Sequence, residues 1–401
     1  ILAARVAPEP LAFLGAGLLV LVVGTAAAAF VATAGRSVSV VRRRLIAAAS
    51  VVVAAVVVGA LVIVPLGDPA VPPTPVPGME LADLPSGSRI AYARVPGDPS
   101  GASSGDEPIV VLHGGPGVAD MRNDLVFFRR LAAGGREVIL YDQVGSGHSG
   151  RLDDPTAYTL ERDVADLGAL LDLVGARRAV LVGHSYGGTL AAAFAAANPD
   201  RVAALAFLAP GAIRPHAVEY GTGMVDRLTP DRRRTLYAAL LEPRALFGWL
   251  LTQANPRAAR ALFPDHEMDA RYDRTYALSA PGLYCDPPPD PALPHGLGFY
   301  TNAVRRTIPD LRPALAGIHV PAIVLKPQCD YLPWTFGTDL VAALPDASLV
   351  YVEGAGHSLY AEKPDGVFGV LQAFLAGEAS PIAPRTDLEP PANFTGPLGA
   401  G

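Results

Sequence analysis

The sequence predicts an α/β protein in which a mostly parallel β-sheet carries helices on both faces. Short runs rich in Val, Ile, Leu and Ala alternate with helical patterns such as Leu160–Val174 and Thr189–Ala197, as is typical of parallel sheets with crossover helices. An earlier run, Arg89–Val95, is predicted to start the sheet as an antiparallel edge. The other predicted strands are Ile109–Leu112, Val138–Tyr141, Ala179–Val182, Ala203–Leu208, Ala322–Leu325 and Ser348–Val352.

The N-terminal part contains two long uncharged runs, 11–34 and 45–66. Each exceeds the roughly 20 residues that cross the hydrocarbon core of a bilayer. The arginine-rich stretch Gly35–Arg44 lies between them, and the positive-inside rule places it in the cytoplasm. We therefore predict that residues 1–66 form a membrane anchor of two transmembrane helices. The alternative for the first run is a signal peptide, but the run is long for one and a second run follows it.

The rest of the chain divides into a core, an insertion and two proline-rich flanks. Residues 67–80 contain five prolines and predict a stiff linker. Residues 377–401 repeat this composition and predict a disordered tail. The α/β core is predicted over 81–212 and 307–376. The interval 213–306 interrupts the strand–helix rhythm with short helical stretches and predicts an inserted helical cap.

Composition excludes several classes of protein. A net charge of −6 and a pI near 5.8 argue against a nucleic-acid partner.

The two cysteines, Cys285 and Cys329, do not form a C-x-x-C motif, so they are either free thiols or one disulfide outside the cytoplasm. Arginine greatly outnumbers lysine, which suggests a GC-rich bacterial genome, and no pattern indicates an oligomeric state.

The strongest motif is Gly183-His184-Ser185-Tyr186-Gly187. It follows a predicted strand and opens a predicted helix, and G-x-S-x-G in this context is a nucleophile elbow. The turn is too sharp for side chains at the positions that flank it, two residues before and two residues after the serine, and this explains Gly183 and Gly187. The helix N-terminus also favours developing negative charge. Ser185 is therefore the candidate nucleophile.

A serine hydroxyl needs an adjacent base, which in such folds follows the serine and the acid along the chain. His357 follows the strand Ser348–Val352 through a glycine-containing loop and is the candidate base. Asp330 follows the run Ala322–Leu325 at the carboxyl edge of the sheet and is the candidate acid. The remaining histidines after the elbow lie in the predicted cap or before a strand, where surface or packing roles are expected: His216, His266, His295 and His319.

A glycine-rich loop directly after the strand Ile109–Leu112 is the candidate oxyanion loop. Glycines there let a substrate approach backbone N–H groups, which stabilise a tetrahedral oxyanion. The predicted oxyanion hole consists of the N–H groups of Gly115 and Tyr186. The loop reads His113-Gly114-Gly115-Pro116-Gly117.

This loop and the downstream Asp142-Gln143-Val144-Gly145-Ser146-Gly147-His148-Ser149 together resemble the proline iminopeptidase family of α/β-hydrolases. The resemblance covers roughly residues 81–376. It implies an α/β-hydrolase fold with a helical cap after the sixth strand, the same triad at Ser185, Asp330 and His357, and no metal or organic cofactor. It also implies release of an N-terminal residue, typically proline, from a peptide. That family usually has Trp after the serine and Gly before it, whereas Tyr186 and His184 stand here, as is also common in esterases.

We therefore expect a serine aminopeptidase of proline iminopeptidase type, acting on small peptides and held at a cell membrane with its catalytic domain outside the cytoplasm. The alternatives are an esterase or lipase, and an inactive hydrolase-fold binding or scaffold protein. Ser185 excludes dehalogenase or epoxide-hydrolase chemistry that begins with an elbow carboxylate. An aminopeptidase needs a carboxylate for the substrate amine, and the available cap residues, none of which aligns with the family, are Glu219, Glu242, Asp265, Glu267 and Asp269.

Overall fold

An eight-stranded sheet forms the centre of the protein, in the order β1-β2-β4-β3-β5-β6-β7-β8. The computed structural model describes residues 10–34, 39–62, 71–101, 107–215, 222–288, 293–304 and 307–399. Strand β2 pairs antiparallel with β1 and β4, and all other neighbours are parallel. The predicted mostly parallel α/β sheet is thus confirmed. The strands are β1 (Met79–Asp83), β2 (Arg89–Val95), β3 (Ile109–Leu112), β4 (Val138–Asp142), β5 (Ala179–His184), β6 (Val202–Leu208), β7 (Ala322–Cys329) and β8 (Ala347–Gly356).

The antiparallel edge of the sheet differs from the prediction. Arg89–Val95 is the second strand from that edge, and β1 pairs outside it from Met79↔Ala93 to Asp83↔Arg89. The side chains of β1 are exposed or half-buried, so this strand lacks the apolar signal of the central ones. The predicted linker therefore ends two residues early, and its Val76 is already buried against the core.

Apolar helices cover both faces of the sheet. On one face, α4 (Leu160–Leu173), α5 (Tyr186–Ala197) and α13 (Trp334–Ala343) pack on alternate strand residues such as Val110 and Leu112. On the other face, α3 (Met121–Phe128) and α15 (Pro364–Ala376) pack on residues such as Ile109 and Val111. This alternation follows from the two-residue period of a strand. Short helices α12 (Arg312–Leu315) and α14 (Leu359–Glu362) complete the core.

The chain between β6 and β7 forms a helical layer over the carboxyl edge of the sheet. Arg244 and Glu267 form a bidentate ion pair inside this layer, with both side chains about 5% exposed or less. An apolar cluster that includes Tyr158, Phe263 and Tyr300 joins it to the core. The helices are α6 (Thr222–Asp226), α7 (Pro230–Leu240), α8 (Pro243–Ala254), α9 (Pro256–Leu262), α10 (Asp265–Ser279) and α11 (Phe299–Ala303).

The N-terminal residues form two helices, α1 (Pro10–Thr33) and α2 (Val40–Val62), which pack against each other and against α9 and α8. The predicted transmembrane spans 11–34 and 45–66 are not supported, because no helix in the described part of the chain combines the length and apolar character needed to cross a membrane. Helix α2 begins at Val40, so three arginines that were predicted to lie in the loop belong to its first turns. Residues 63–66 lie outside the described residues.

The prediction of a disordered tail is wrong for residues 377–399, which pack on the core. The Trp334 indole N–H donates to the carbonyl of Leu388 at 2.7 Å, and the Trp334 and Phe394 rings pack with centroids 5.1 Å apart. The Thr395 N–H donates to the carbonyl of Gln328 at 3.0 Å. These aromatic and backbone contacts order a segment whose composition alone predicts disorder.

Candidate active site

Ser185 occupies the tight turn between β5 and α5. Its φ is 55°, a conformation that a non-glycine residue adopts at a cost of roughly 1–3 kcal/mol. A side chain at Gly183 would collide with the Gly187 carbonyl, and one at Gly187 would collide with the Leu112 carbonyl. The Ser185 N–H donates to the Leu208 carbonyl at 3.0 Å. The two glycines of the motif are therefore required by close backbone approach, as the elbow prediction assumed.

Asp330 and His357 meet at the carboxyl ends of the neighbouring strands β7 and β8. The imidazole Nδ1 lies 2.8 Å from Asp330 Oδ1, and Asp330 is completely buried. The Leu332 N–H donates to the same carboxylate oxygen at 3.1 Å. His357 and Ser185 line one cavity. The fold thus brings the three predicted triad residues together and fixes the tautomer of the imidazole.

A buried lysine, which the sequence reasoning missed, binds the other oxygen of the Asp330 carboxylate. Lys326 Nζ lies 2.6 Å from Asp330 Oδ2 and 3.0 Å from the Leu332 carbonyl, and its side chain is 0% exposed. Burial alone would raise the pKa of Asp330, but Lys326 and His357 together hold it well below its usual range. The sequence does contain a signal that could have identified Lys326. This lysine continues an apolar strand, in a chain with only two lysines among its 32 basic residues.

The predicted oxyanion loop passes directly beside the nucleophile. A Cβ at Gly114 would lie 2.9 Å from the Ser185 Cβ. Gly115 has a φ of 112°, and a Cβ there would lie 2.6 Å from the backbone nitrogens of Gly117 and Val118. Tyr186 starts α5 on the other side of Ser185, and N–H groups in a first helical turn point out of the helix N-terminus. Tyr186 therefore follows Ser185 directly, and the loop that carries Gly115 lies beside the nucleophile.

His113 connects the two sequence segments that carry the family resemblance. Its buried ring accepts the Gln143 N–H at Nε2 and donates from Nδ1 to the Gly114 carbonyl, both at 2.9 Å. Burial lowers the pKa of His113, which favours the neutral ring that this pattern requires. Asp142 accepts the N–H and the Nδ1 of His148 at 2.8 and 3.0 Å. These residues support the shape of the oxyanion loop.

A cavity of about 760 Å³ opens above Ser185 and His357. Its cap side includes apolar residues such as Leu236, Leu240 and Leu283. The described residues that line it include no lysine or arginine, and its tyrosines and carboxylates are Tyr237, Tyr272, Tyr276, Tyr284, Tyr331, Tyr360, Asp120, Asp124 and Asp226. The cavity is thus large enough for a small substrate and has a negative wall.

None of the described cap carboxylates that were considered for amine binding lines this cavity, and each is paired with arginine. Glu219 lies outside the described residues. The sequence reasoning did not consider Asp120 and Asp124, although their four-residue spacing directly after the oxyanion loop places them one helical turn apart. The cap pairs are Glu242 with Arg271 and Arg274, Asp265 with Arg260, Glu267 with Arg244 and Arg271, and Asp269 with Arg151.

The other histidines lie away from the nucleophile or support the turn. His319 is exposed, with Nδ1 3.3 Å from the Asp346 carboxylate. His266 and His295 are exposed as well, and His216 lies outside the described residues. His184 Nε2 donates to the His357 carbonyl at 3.0 Å, and the two rings pack with centroids 4.8 Å apart. His184 therefore contacts the candidate base without taking its place.

The two cysteines form a disulfide, Cys285–Cys329. Cys285 follows the last helical turn of the cap before the proline-rich stretch, and Cys329 directly precedes Asp330. The disulfide therefore ties the cap to the loop that carries the candidate acid. Among the described residues, no group of three or more His, Cys, Asp or Glu side chains is arranged to hold a metal ion.

Comparison with known proteins identifies the family. The alpha/beta hydrolase fold family matches residues 107–286. A proline iminopeptidase of Heyndrickxia coagulans is 37% identical over 125 residues, which are 31% of this chain and 41% of that relative. Epoxide hydrolase A of Mycobacterium tuberculosis is 31% identical over 300 residues, 67% of this chain and 91% of that protein.

Solved structures agree on the fold. The crystal structure of VinJ is 25% identical with a TM-score of 0.50, covering 76% of this chain and 99% of that one. A membrane phospholipase A is 23% identical with a TM-score of 0.51, covering 75% and 86%, which indicates a shared fold alone. With the eight-stranded sheet and the G-x-S-x-G turn, these matches show that the chain belongs to the α/β-hydrolase superfamily and has proline iminopeptidases among its relatives.

Proposed function

We propose that the protein is a serine hydrolase with Ser185 as nucleophile, His357 as general base and Asp330 as the acid that orients the base. The observation that carries this proposal is the 2.8 Å bond between His357 Nδ1 and a fully buried Asp330 carboxylate, in the cavity that Ser185 lines. This bond leaves Nε2 of the ring to accept a proton.

In the first half of the reaction, the Ser185 Oγ attacks the substrate carbonyl carbon and its proton moves to His357 Nε2. The carbonyl oxygen becomes an oxyanion, which the N–H groups of Gly115 and Tyr186 stabilise. When the tetrahedral intermediate collapses, the bond to the leaving group breaks and His357 gives it the proton. An acyl-enzyme on Ser185 remains.

In the second half, His357 removes a proton from water, and the resulting hydroxide attacks the acyl carbon. The second intermediate collapses with return of the proton to the Ser185 Oγ, and a carboxylic acid leaves. Asp330 stays ionised throughout, and its charge stabilises the imidazolium. Lys326, which binds the second oxygen of the Asp330 carboxylate, limits how strongly this charge stabilises the imidazolium.

We propose further that the acyl donor is the N-terminal residue of a small peptide, as in proline iminopeptidases. The loop beginning at His113, the segment beginning at Asp142 and the iminopeptidase relatives support this substrate class. Because the chain spans about two fifths of the length of the iminopeptidase that it matches, the substrate is an inference from the site. The negative wall of the cavity suits a substrate with a free amine.

An esterase or lipase is the second candidate. The apolar cap residues Leu236, Leu240 and Leu283 favour it, because they would accommodate an acyl chain. Epoxide opening through an elbow carboxylate is not available to this chain, since Ser185 stands at that position. The inactive-scaffold alternative is disfavoured because the candidate triad and oxyanion loop are complete.

We also propose that the catalytic domain works outside the cytoplasm. The Cys285–Cys329 disulfide supports this location, because disulfides persist in oxidising compartments and are rare in the cytosol. The test is to alkylate free thiols in intact cells before lysis and then to measure whether Cys285 and Cys329 have been alkylated. Complete protection of both cysteines is expected, and full alkylation of both would contradict the proposal.

The proposed function is tested with the purified full chain and three substrates: proline 4-nitroanilide, its N-acetylated form and 4-nitrophenyl butyrate. A fluorophosphonate probe reports the nucleophile, and Ser185→Ala should abolish both labelling and hydrolysis. Ser358→Ala, another serine of the cavity wall, is the matched control and should retain labelling. Cleavage restricted to the free-amine anilide supports the aminopeptidase, preference for the butyrate supports the esterase, and labelling that persists in Ser185→Ala refutes both.

A further inference from the structure

We propose that Asp120 and Asp124 form the subsite that binds the protonated amine of the substrate. This inference rests on the proposed aminopeptidase function and specifies how such an enzyme would recognise its substrate. It differs from the sequence expectation, which placed amine recognition on carboxylates of the cap.

The two carboxylates lie one helical turn apart at the start of α3. Asp120 is the N-cap residue of this helix, and the Asp124 N–H donates to the Asp120 carbonyl at 2.9 Å. Residues at this spacing share a helix face, and both line the cavity that contains Ser185. Only two residues separate Gly117, at the end of the oxyanion loop, from Asp120, so the subsite and the oxyanion loop are part of one short segment.

Asp124 is nearly enclosed and has one carboxylate oxygen available. Asp124 is 7% exposed, and its Oδ1 accepts the Tyr360 O–H at 2.9 Å. In the described part of the chain, Oδ2 has no hydrogen-bond partner, although the residue lines the cavity. The Tyr360 ring packs on His184 with centroids 5.3 Å apart, and His184 packs on His357. Asp124 is therefore connected to the candidate base through two aromatic contacts.

Asp120 has a neutral partner but no cation. Its carboxylate accepts the Asn123 side-chain amide at 2.8 Å and the Asn123 N–H at 3.4 Å, and no ion pair forms to it among the described residues. The groups that interact electrostatically with its carboxylate include Asp124, Asp142 and the exposed His295. Asp142 is already bound to His148, and neither cavity aspartate has an ion-pair partner in the described part of the chain.

The electrostatics of the two carboxyl groups favours binding of a cation beside them. Burial raises the pKa of Asp124 well above its usual value, and the nearby Asp120 raises it further. Burial also raises the pKa of Asp120. Two like charges in one enclosed site are costly unless a positive charge joins them. A protonated amine beside the two carboxylates would favour their ionised forms and make charge-assisted hydrogen bonds to them.

This position fits the amine of an N-terminal residue. In such a substrate the amine is attached to the carbon next to the scissile carbonyl, so its subsite must lie close to Ser185. The described cap carboxylates that the sequence suggested for this role are bound to arginines and do not line the cavity. Asp226 does line it but is exposed on α6, where water screens its charge.

The test measures binding in the full-length Ser185→Ala protein, so that no ligand is turned over. Calorimetry at pH 7.5 compares prolinamide, which is cationic, with neutral N-acetylprolinamide, and Asp120→Asn and Asp124→Asn are added singly. Asparagine keeps the N-cap at position 120 and an acceptor for Tyr360 at position 124. We expect each variant to weaken prolinamide binding about 10- to 100-fold. Asp226→Asn, which removes the same charge at an exposed position, should leave the preference for the cation within about twofold.

Equal binding of the two ligands to the Ser185→Ala parent, or an unchanged preference in both aspartate variants, would overturn the subsite. If Asp124→Asn does not fold, Asp120→Asn alone decides. The proposed aminopeptidase function is judged separately by hydrolysis with the active enzyme. Hydrolysis of esters only, with a cation preference that depends on the aspartates, would refute the peptidase and keep the amine site. Cleavage of proline 4-nitroanilide that both aspartate variants retain would refute the amine site and keep the peptidase.

Discussion

Replacement of Lys326 by methionine should shift the pH dependence of hydrolysis. Lys326 Nζ and His357 Nδ1 bind the two oxygens of the Asp330 carboxylate, so the lysine repels an imidazolium that forms during the reaction. Without the lysine, the base accepts a proton more readily and is lost to protonation at a higher pH. The acid limb of the kcat/KM profile is therefore expected to move upward.

The size of the shift follows from the geometry. With bonds of 2.6 and 2.8 Å to the two carboxylate oxygens, the two nitrogens are at most about 7.6 Å apart, and at an effective dielectric constant near 20 two unit charges at that distance repel by about 2.2 kcal/mol. At 1.36 kcal/mol per pH unit this corresponds to roughly 1.6 units. Relaxation and water entry reduce the effect, so we expect an upward shift of about one to two pH units.

The assay is kcat/KM between pH 4.5 and 9 on whichever substrate the wild type cleaves. Lys363→Met is the matched control, because it removes the other lysine, which is exposed, and should leave the limb in place. Breaking one side of a buried ion pair costs about 3–5 kcal/mol of stability, but the position of the limb does not depend on how much enzyme is folded. Lys326→Gln is the second variant. An acid limb that stays within about 0.3 units in every variant that retains activity would refute the coupling.

Three further changes have defined outcomes. Gly115→Ala places a Cβ 2.6 Å from two backbone nitrogens at a φ of 112°, so kcat/KM should fall at least about 100-fold; near-wild-type activity would argue against the predicted oxyanion loop. Reduction of Cys285–Cys329, which spans 44 residues, should lower the free energy of unfolding in urea by about 3–4 kcal/mol, and an unchanged urea midpoint would contradict this. Burial lowers the pKa of His184 to about 3, whereas the unfolded chain binds this proton near pH 6.5, so stability should fall as pH falls from about 6.5 toward 3. His184→Asn should reduce that loss in urea melts at pH 7.5 and 4.5, and an equal loss in both proteins would refute it.

The sequence predicts the sheet and the elbow well because both depend on local patterns. The central strands are continuous apolar runs, since helices cover both faces, and Gly183 and Gly187 mark a turn that only glycine permits. The carboxyl edge of a parallel sheet then brings loops after β7 and β8 together, which places Asp330 beside His357. Strand β1 escaped prediction because an outer strand that is half exposed has no apolar run.

Other features depend on contacts between distant parts of the chain. The order of residues 377–399 depends on Trp334 and on backbone groups of the core, which composition cannot indicate. The importance of Lys326 and Asp124 depends on what encloses them. Lys326 looks like an ordinary strand residue until Asp330 and Leu332 are seen around it. Asp124 looks like a solvated helix residue until the cap closes the cavity above it.

An acyl group detected on Ser185 during turnover would establish this residue as the nucleophile. The full-length wild type is mixed with a substrate that it hydrolyses, and the reaction is quenched in acid within the first turnover. The protein is then digested with a protease and its peptides are examined by mass spectrometry. The peptide containing Ser185 should gain the mass of the acyl group, and Ser185→Ala should show neither the added mass nor turnover. Turnover without any adduct on this peptide, together with an active Ser185→Ala variant, would contradict this assignment.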